Sequence, residues 1–157
     1  MNSLQSLREL IAQLPERLAA LPPDRVEHAA SGHWSAKQEL GHLVDSASNN
    51  HQRIVRAQLQ DNPAMPDYDG PQWVELHRYQ QHNWKTLIAL WKALNEHLLA
   101  AAEAATDGAW SRTLTIGGAA PVTLQFVFDD YIEHMLEHLR HMGVEVEDLA
   151  PANAAAR

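Results

Sequence analysis

The spacing of apolar residues is the feature that most limits how this chain can fold. In four long segments, apolar side chains recur every three or four residues, which is the period of an amphipathic α-helix. Prolines and glycines cluster between these segments. Because a helix with one apolar face must bury that face against other elements, the pattern predicts an all-α protein, built as a four-helix bundle.

The first and third predicted helices are bounded mainly by proline-rich breaks. The first covers residues 3–21 and stops at Pro22, and Pro15 inside it should kink or interrupt the helix. The third extends from about residue 72 to 105, through a stretch rich in strong helix formers. A break with three prolines and a glycine precedes this third helix.

The second and last predicted helices begin at residues that are typical helix caps. Ser35 is a suitable N-cap with Gln38 three positions later, and that helix should extend to about residue 60. Thr123 should cap the last helix, which extends to about Met142. Gly143 then follows as the residue that ends it.

Two other segments complete the predicted organisation. Residues 113–116 alternate in character before a Gly-Gly pair, which indicates a short hairpin or an irregular loop ahead of the last helix. Residues 1–143 are assigned to a single four-helix-bundle domain. Residues 144–157 have no periodicity and are predicted to be an irregular tail that frays.

Charge and composition exclude several classes of partner. The chain has 20 acidic and 12 basic residues, a net charge of -8, so no nucleic acid is expected as a partner. No apolar run is long enough to span a bilayer and no signal-peptide pattern is present, so we expect no membrane partner and a cytoplasmic location. Cysteine is absent, so the protein itself supplies no thiolate.

Three of the 10 histidines lie close together in the last helix, in the sequence DYIEHMLEHLRHMG at positions 130–143. His134 and His138 are four residues apart, so they lie one above the other at the flank of the apolar stripe. Two imidazoles in this arrangement can bind one divalent ion, and His141 is a reserve ligand near the same flank. Since a histidine on an apolar face is more often a hydrogen-bonded core residue, a metal site needs a third ligand from elsewhere.

Motifs on two distant helices give the chain a family resemblance. They are Trp34-Ser35, GHLVDS at 41–46, Asn49, Arg53, YDGPQWVELHRYQ at 68–80, and the series Tyr131, His134, His138 and His141. Together, over about residues 30–142, they resemble the DinB superfamily, and within it the YfiT-like branch. No single piece is specific, whereas the spaced histidines across two helices are fairly specific.

The resemblance implies a four-helix bundle that binds one divalent metal ion, nickel or zinc, through three histidines. Carried over by position, these ligands are His42 of the GHLVDS motif together with His134 and His138. It also implies a homodimer that acts on a small-molecule substrate. The activity would be that of a metal-dependent hydrolase, or of a transferase of low-molecular-weight thiols such as bacillithiol or mycothiol.

Helical periodicity and the motif match favour different histidines on the second helix. Periodicity places His51 nearer the centre of the apolar stripe than His42, whereas the motif selects His42. Whether His51 or His141 takes part stays open at this point. The remaining histidines are assigned by default to surface or capping positions: His28, His33, His77, His82 and His97.

Three neutral imidazoles leave a divalent ion with an open coordination position. Water there loses a proton more easily, and a substrate thiol there is held as a thiolate, so either would be the reacting group. Candidate hydrogen-bond partners for the outer ring nitrogens are Asp45, Asp130 and Glu133. Acidic residues on helix surfaces are nevertheless more often simply solvated.

A substrate cleft could be lined by Trp34, Arg53 and Tyr131, and Arg53 or Arg56 could receive an anionic group. Aromatic residues at such places are more often core residues, and arginines are more often paired with acidic neighbours. Two alternatives to an enzyme therefore stay open. One is a non-catalytic metal- or ligand-binding stress-response protein, and the other is a plain structural bundle whose histidines are incidental.

Overall fold

Four long helices form the body of the protein in the computed structural model, which describes residues 2–29 and 32–151. The elements are α1 (Ser3–Ala19), α2 (Pro23–Glu27), α3 (Ala36–Leu59), α4 (Gly70–His77), α5 (Trp84–Glu103) and α6 (Leu124–His141). α3 packs against both α5 and α6, and α1 packs against the same two helices. The predicted four-helix bundle is confirmed, with α2 and α4 as short helices in the connections.

The core of the bundle consists of the apolar stripes that the spacing predicts. On α6 every stripe residue is buried: Leu124, Val127, Phe128, Tyr131, Met135, Leu139 and Met142. Trp91 of α5 is fully buried in the same core, and each large apolar side chain enclosed in this way contributes about 1.5–3 kcal/mol. No helix in the described part of the chain is both long and apolar enough to cross a membrane.

The caps of α3 and α6 confirm the predicted boundaries. Ser35 accepts a hydrogen bond from the backbone N–H of Gln38 at 3.3 Å, and the Gln38 side chain accepts one from the N–H of Ser35 at 3.0 Å. Thr123 accepts a hydrogen bond from a backbone N–H of the first turn of α6. Gly143, at φ +78°, follows the C-cap of α6 in the left-handed conformation that favours glycine.

Pro15 does not interrupt the first helix, because α1 is continuous from Ser3 to Ala19. A kink at Pro15, the other expected effect, stays a prediction. The missing N–H of a proline and its steric clash cost a helix about 3 kcal/mol. Leu14 and Leu18, on either side of Pro15, are fully buried in the core. Packing of this apolar face therefore outweighs the local cost.

The third predicted helix, residues 72–105, is two helices rather than one. Arg78 ends α4 in a left-handed conformation with φ +52°, and a short 3₁₀ turn follows at Tyr79–Gln81. Asn83 then caps α5. The break separates two helices that sequence periodicity predicts as a single helix.

This break lets Tyr79 pack tightly against α3. A Cβ atom placed on Gly41 would lie 2.1 Å from Cγ of Tyr79, so glycine is needed at position 41 for the close approach. The Tyr79 hydroxyl donates a 2.6 Å hydrogen bond to Oδ1 of Asp45, one turn further along α3. The segment with α4 and the 3₁₀ turn is thereby fixed to the N-terminal half of α3.

A small three-stranded sheet lies beside the bundle, in the order β1 (Ala64–Met65), β2 (Thr113–Ile116), β3 (Val122–Thr123). β2 and β3 form the short antiparallel hairpin that the sequence indicated ahead of the last helix. β1, from the loop after α3, pairs with β2 in parallel. The sheet thus joins the α3–α4 connection to the start of α6.

The segment after Gly143 is largely irregular, and part of it packs against the bundle. Val144, Val146 and Leu149 are buried against the core, and residues 147–149 form a 3₁₀ turn. Three apolar side chains spaced without helical period still bury their surface here, which periodicity does not detect. Residues 152–157 lie outside the described residues, and the assignment of residues 1–143 to one domain stays a prediction.

Substitution of Gly41 by alanine should destabilise the fold, because the new methyl group overlaps the ring of Tyr79. We expect a loss of about 1–3 kcal/mol in the free energy of unfolding, measured by urea denaturation. Gly108→Ala is the matched control, since a Cβ there meets nothing within 4 Å. Equal stability of the two variants would contradict the close packing of Tyr79 on α3.

Candidate metal centre

Three histidine rings from two helices meet at one place in the bundle. Nε2 of His134 lies 3.1 Å from Nε2 of His42 on α3 and 3.0 Å from Nε2 of His138, one turn along α6. A ligand atom of each ring lies within 4.8 Å of the others. The structure therefore brings together the three residues that the family motif selects.

The spacing of these nitrogens suits a single small cation. Two nitrogens bound to a tetrahedral zinc ion at ~2.1 Å lie about 3.4 Å apart, close to the two observed separations. His134 faces both of its neighbours through the same atom, Nε2, which has one lone pair or one proton to offer. Direct hydrogen bonds alone therefore do not explain the convergence, whereas a shared cation does.

The protonation state of the cluster also suits metal binding. Burial, with the neighbouring imidazoles adding to it, lowers the pKa of His42 to about 3. Burial, and then the charge of His138, lowers the pKa of His134 to about 4. Both rings are consequently neutral at pH 7, which is the form in which imidazole donates a lone pair to a metal.

Glu39 contacts the ring nitrogen of His138 that faces away from the cluster, and the sequence did not predict it as part of the site. Its Oε2 lies 2.5 Å from Nδ1 of His138, and the carboxylate is almost fully buried. A proton on Nδ1 donated to Glu39 leaves Nε2 of His138 with its lone pair directed toward the other rings. Glu39 precedes His42 by three residues, so helical spacing was a signal that could have identified it.

Close packing fixes the ring of His42. A Cβ atom on Gly70, the first residue of α4, would lie 2.8 Å from Cε1 of His42, so α4 begins directly against this imidazole. Trp34 packs on the other side, with ring centroids 5.3 Å apart, and it also stacks near His138. Nδ1 of His42 is buried without a hydrogen-bond partner among the described residues. Packing, rather than hydrogen bonding, thus orients this ring.

The structure places His51 away from the cluster. His51 stacks on the ring of His97 of α5, with centroids 4.2 Å apart. Periodicity favoured His51 because it assumes that the polar side of α3 faces solvent. Here α2, α4 and the 3₁₀ turn cover that side, so residues 39–47 of α3 are all buried and His42 points into the protein.

His141 lies at the edge of the site. Its Nδ1 is 3.7 Å from Oε1 of Glu39, and about half of its side chain is exposed. Glu39, His138 and His141 form a second group of potential ligand atoms. His141 is therefore close to the three-histidine cluster but is not one of its converging rings.

The three acidic residues predicted to support the histidines lie elsewhere. Asp45 accepts hydrogen bonds at its Oδ1 from Tyr79 and, at 3.1 Å, from Nδ1 of His77. Asp130 is exposed at a neighbouring cavity, and Glu133 is partly buried on α6. The described structure pairs His138 with Glu39 in their place, because position 39 shares the face of His42 and position 45 faces α4.

A cavity of about 160 Å³ opens beside the cluster, with His134 in its wall. Arg53 and Tyr131, two of the predicted cleft residues, also line it. The Tyr131 hydroxyl donates a 2.5 Å hydrogen bond to Asn95, so this residue contributes its ring and not its hydroxyl. Trp34, the third predicted residue, packs near His42 and His138 but lines a separate cavity.

The protein is a helical bundle in which histidines from two helices converge to form a candidate metal site. The sequence profile of the DinB superfamily matches residues 5–142, so the chain belongs to that superfamily. The chain is similar to YfiT from Bacillus subtilis (strain 168), with 24% identity over 141 residues, which cover 88% of this chain and 79% of YfiT.

Two solved structures share the fold. YfiT, described as a probable metal-dependent hydrolase with an unusual four-helix bundle topology, matches 91% of this chain and 87% of its own with a TM-score of 0.72. The mycothiol-dependent maleylpyruvate isomerase matches 90% of this chain with a TM-score of 0.72 at 16% identity. This chain spans 60% of the length of that isomerase.

Replacement of Glu39 by glutamine should weaken metal binding without unfolding the bundle. The amide keeps the volume but loses the charge that holds the Nδ1 proton of His138. We expect about a 10–100-fold rise in the dissociation constant for zinc, measured by competition with a chromogenic chelator. Glu9→Gln on α1, a carboxylate remote from the cluster, is the control. An unchanged constant in Glu39→Gln would contradict the supporting role.

Proposed function

We propose that this protein is a metal-dependent enzyme in which His42, His134 and His138 hold one divalent ion, nickel or zinc. It acts on a small molecule, either as a hydrolase or as a transferase of low-molecular-weight thiols. The observation that carries the proposal is the convergence of three Nε2 atoms from α3 and α6, at 3.0 and 3.1 Å from one another along the cluster.

The donor set agrees with the proposed metals. Neutral imidazole nitrogens suit zinc and nickel, whereas magnesium and calcium prefer carboxylate and carbonyl oxygens. The buried carboxylate of Glu39 contacts the outer nitrogen of His138 and so orients a ligand. Trp34 and Gly70 pack against His42 and limit the access of water to that ring.

An open coordination position favours an enzyme over a storage or structural role. Among the described residues, the group around His134 contains three histidines and no fourth histidine or carboxylate ligand atom. When bound, the ion would supply Lewis acidity at that position, which activates water or a thiol. Because the chain has no cysteine, any thiol must come from a small molecule.

Similarity to known proteins supports both activities. YfiT is described as a probable metal-dependent hydrolase, and a structural neighbour is a mycothiol-dependent isomerase. A non-catalytic metal- or ligand-binding protein is the alternative, and the cavity in which His134 forms part of the wall favours the enzyme over it. The homodimer that the resemblance implies and the cytoplasmic location expected from the composition stay predictions.

Metal content tests the proposed ligands. The untagged protein, purified without chelators, should contain about one equivalent of nickel or zinc by elemental analysis, and His138→Ala should lose it. His82→Ala, at an exposed position whose ring contacts the carbonyl of His77, should retain it. His51→Ala should retain it as well, since that ring stacks on His97.

Two results would contradict the proposed ligand set. One is a metal content below about a tenth of an equivalent in the wild type after loading with either metal. The other is equal metal retention in His138→Ala and His82→Ala.

A paired assay tests turnover. The loaded protein should accelerate either hydrolysis of simple esters and amides or the reaction of bacillithiol or mycothiol with an electrophilic acceptor. The rate should fall at least about 100-fold in His138→Ala, because the activating ion is lost with its ligand. Full metal loading with no acceleration in either assay would instead support the non-catalytic alternative.

A further inference from the structure

One cationic side chain in the cavity beside His134 has only loose contacts with the residues that the structure describes. Arg53 lies on α3 with only 11% of its side chain exposed. Its Nη1 is 3.4 Å from Oδ1 of Asn50, and its Nη2 is 3.9 Å from Oδ1 of Asp67. A charge-assisted hydrogen bond to a guanidinium is ~2.7–2.9 Å long, so both contacts are loose.

The acidic groups near Arg53 do not neutralise it tightly. Asp67 is 72% exposed and Asp130 is exposed at the cavity, so water solvates both carboxylates. Burial lowers the pKa of Arg53, and Tyr68, Asp67 and Asp130 oppose that shift without cancelling it. A guanidinium carries five N–H donors, so most of its hydrogen-bonding capacity is available to a ligand.

The cavity combines this cation with other polar groups and an apolar wall. Ser46, Asn50 and Tyr68 line it near Arg53, and Ile116, Val122 and Val127 supply apolar surface. His134, one of the proposed metal ligands, lines the same cavity. A ligand in this space therefore meets the guanidinium and the neighbourhood of the three histidines together.

We propose that this cavity is a carboxylate-binding subsite anchored by Arg53, and that the substrate is a small carboxylic acid. The planar guanidinium fork binds a carboxylate through two parallel hydrogen bonds, and Tyr68 adds a polar contact at its edge. The remainder of the acid lies along the apolar wall toward His134. This assignment of a substrate class rests on the proposed function, since the reacting end is the one near the histidines.

The size of the cavity limits the acid. At about 160 Å³ it is smaller than the ~300–1,000 Å³ typical of pockets for drug-sized ligands. A chain of a few carbon atoms between the carboxylate and the reacting group fits such a space.

Binding of matched probes tests the subsite. The full-length protein, both as purified and after nickel loading, is titrated with butyrate and with its neutral isostere butanamide, followed by NMR chemical shifts. We expect saturable shifts with butyrate at residues 46–53 and at Tyr68, at least about tenfold weaker binding of butanamide, and loss of that preference in Arg53→Met. Arg53→Lys, which keeps the charge without the fork, should give an intermediate preference.

Arg56→Met is the matched control, because Arg56 lies one turn further along α3 and does not line this cavity. It should bind butyrate as the wild type does. Equal binding of butyrate and butanamide to the wild type, or equal butyrate binding by Arg53→Met and the wild type, would overturn the subsite. Tighter binding of propanesulfonate than of butyrate would overturn the carboxylate assignment.

A second pair of probes separates this proposal from the metal proposal. For nickel-loaded protein, 3-mercaptopropionate should bind at least about tenfold more tightly than 3-mercapto-1-propanol, and Arg53→Met should equalise them. If the protein binds no metal, neither thiol gains affinity from loading, yet the preference for butyrate persists. If the wild-type protein holds a normal amount of metal but does not prefer the acids, the carboxylate subsite is contradicted and the metal proposal is not.

Discussion

The enclosure of the N-terminal half of α3 is the constraint on which the rest of this structure depends. Helices α5 and α6 cover its apolar stripe, while α2, α4 and the 3₁₀ turn cover the side that an ordinary bundle helix exposes. Residues 39–47 are all buried in consequence. Every polar side chain in that stretch must find a partner inside the protein, since an unpaired buried polar group costs ~1–3 kcal/mol.

The partners of these buried polar side chains hold the candidate site together. Asp45 accepts a hydrogen bond from Tyr79, which fixes the covering segment in place. Glu39 lies within hydrogen-bond distance of His138. His42 meets His134, but its remaining nitrogen has no partner among the described residues. The neutral rings of His42 and His134 face each other and the ring of His138 through nitrogens that direct hydrogen bonds cannot all pair. A bound cation removes that deficit, and binding then also stabilises the folded state.

Much of the bundle could be predicted from the sequence, because helix caps and turns depend on residues that are close together in the chain. Ser35 and Thr123 hydrogen-bond backbone groups three residues away, and Gly143 needs only its own backbone freedom. The interruption at Arg78 did not follow from sequence, since it depends on contact between Tyr79 and a glycine 38 positions earlier on α3. Packing between residues that are far apart in the chain produces no periodic pattern in the sequence.

The same distinction explains what could be predicted of the candidate site. His134 and His138 share one helix, so their alignment is a matter of helical spacing. His42 came from a motif because periodicity treats α3 as one-sided and selects His51. The part of the covering segment that packs on His42 lies more than 25 residues further along the chain, at Gly70 and beyond.

A second periodic pattern on α3 nevertheless joins the separate parts of the site. Glu39, His42, Ser46, Asn50 and Arg53 recur at intervals of three and four residues, so they form one polar stripe along the helix. All five are buried or nearly so. In order, they comprise the residue that orients His138, a proposed ligand, and three residues that line the cavity beside His134. Because a single rigid helix holds all five, helix geometry rather than a loop sets the distance between His42 and the proposed carboxylate anchor, while α6 supplies the other two proposed ligands. A substrate bound at both ends must therefore match a fixed span, which makes chain length, more than chemical type, the property by which such a site discriminates among small acids.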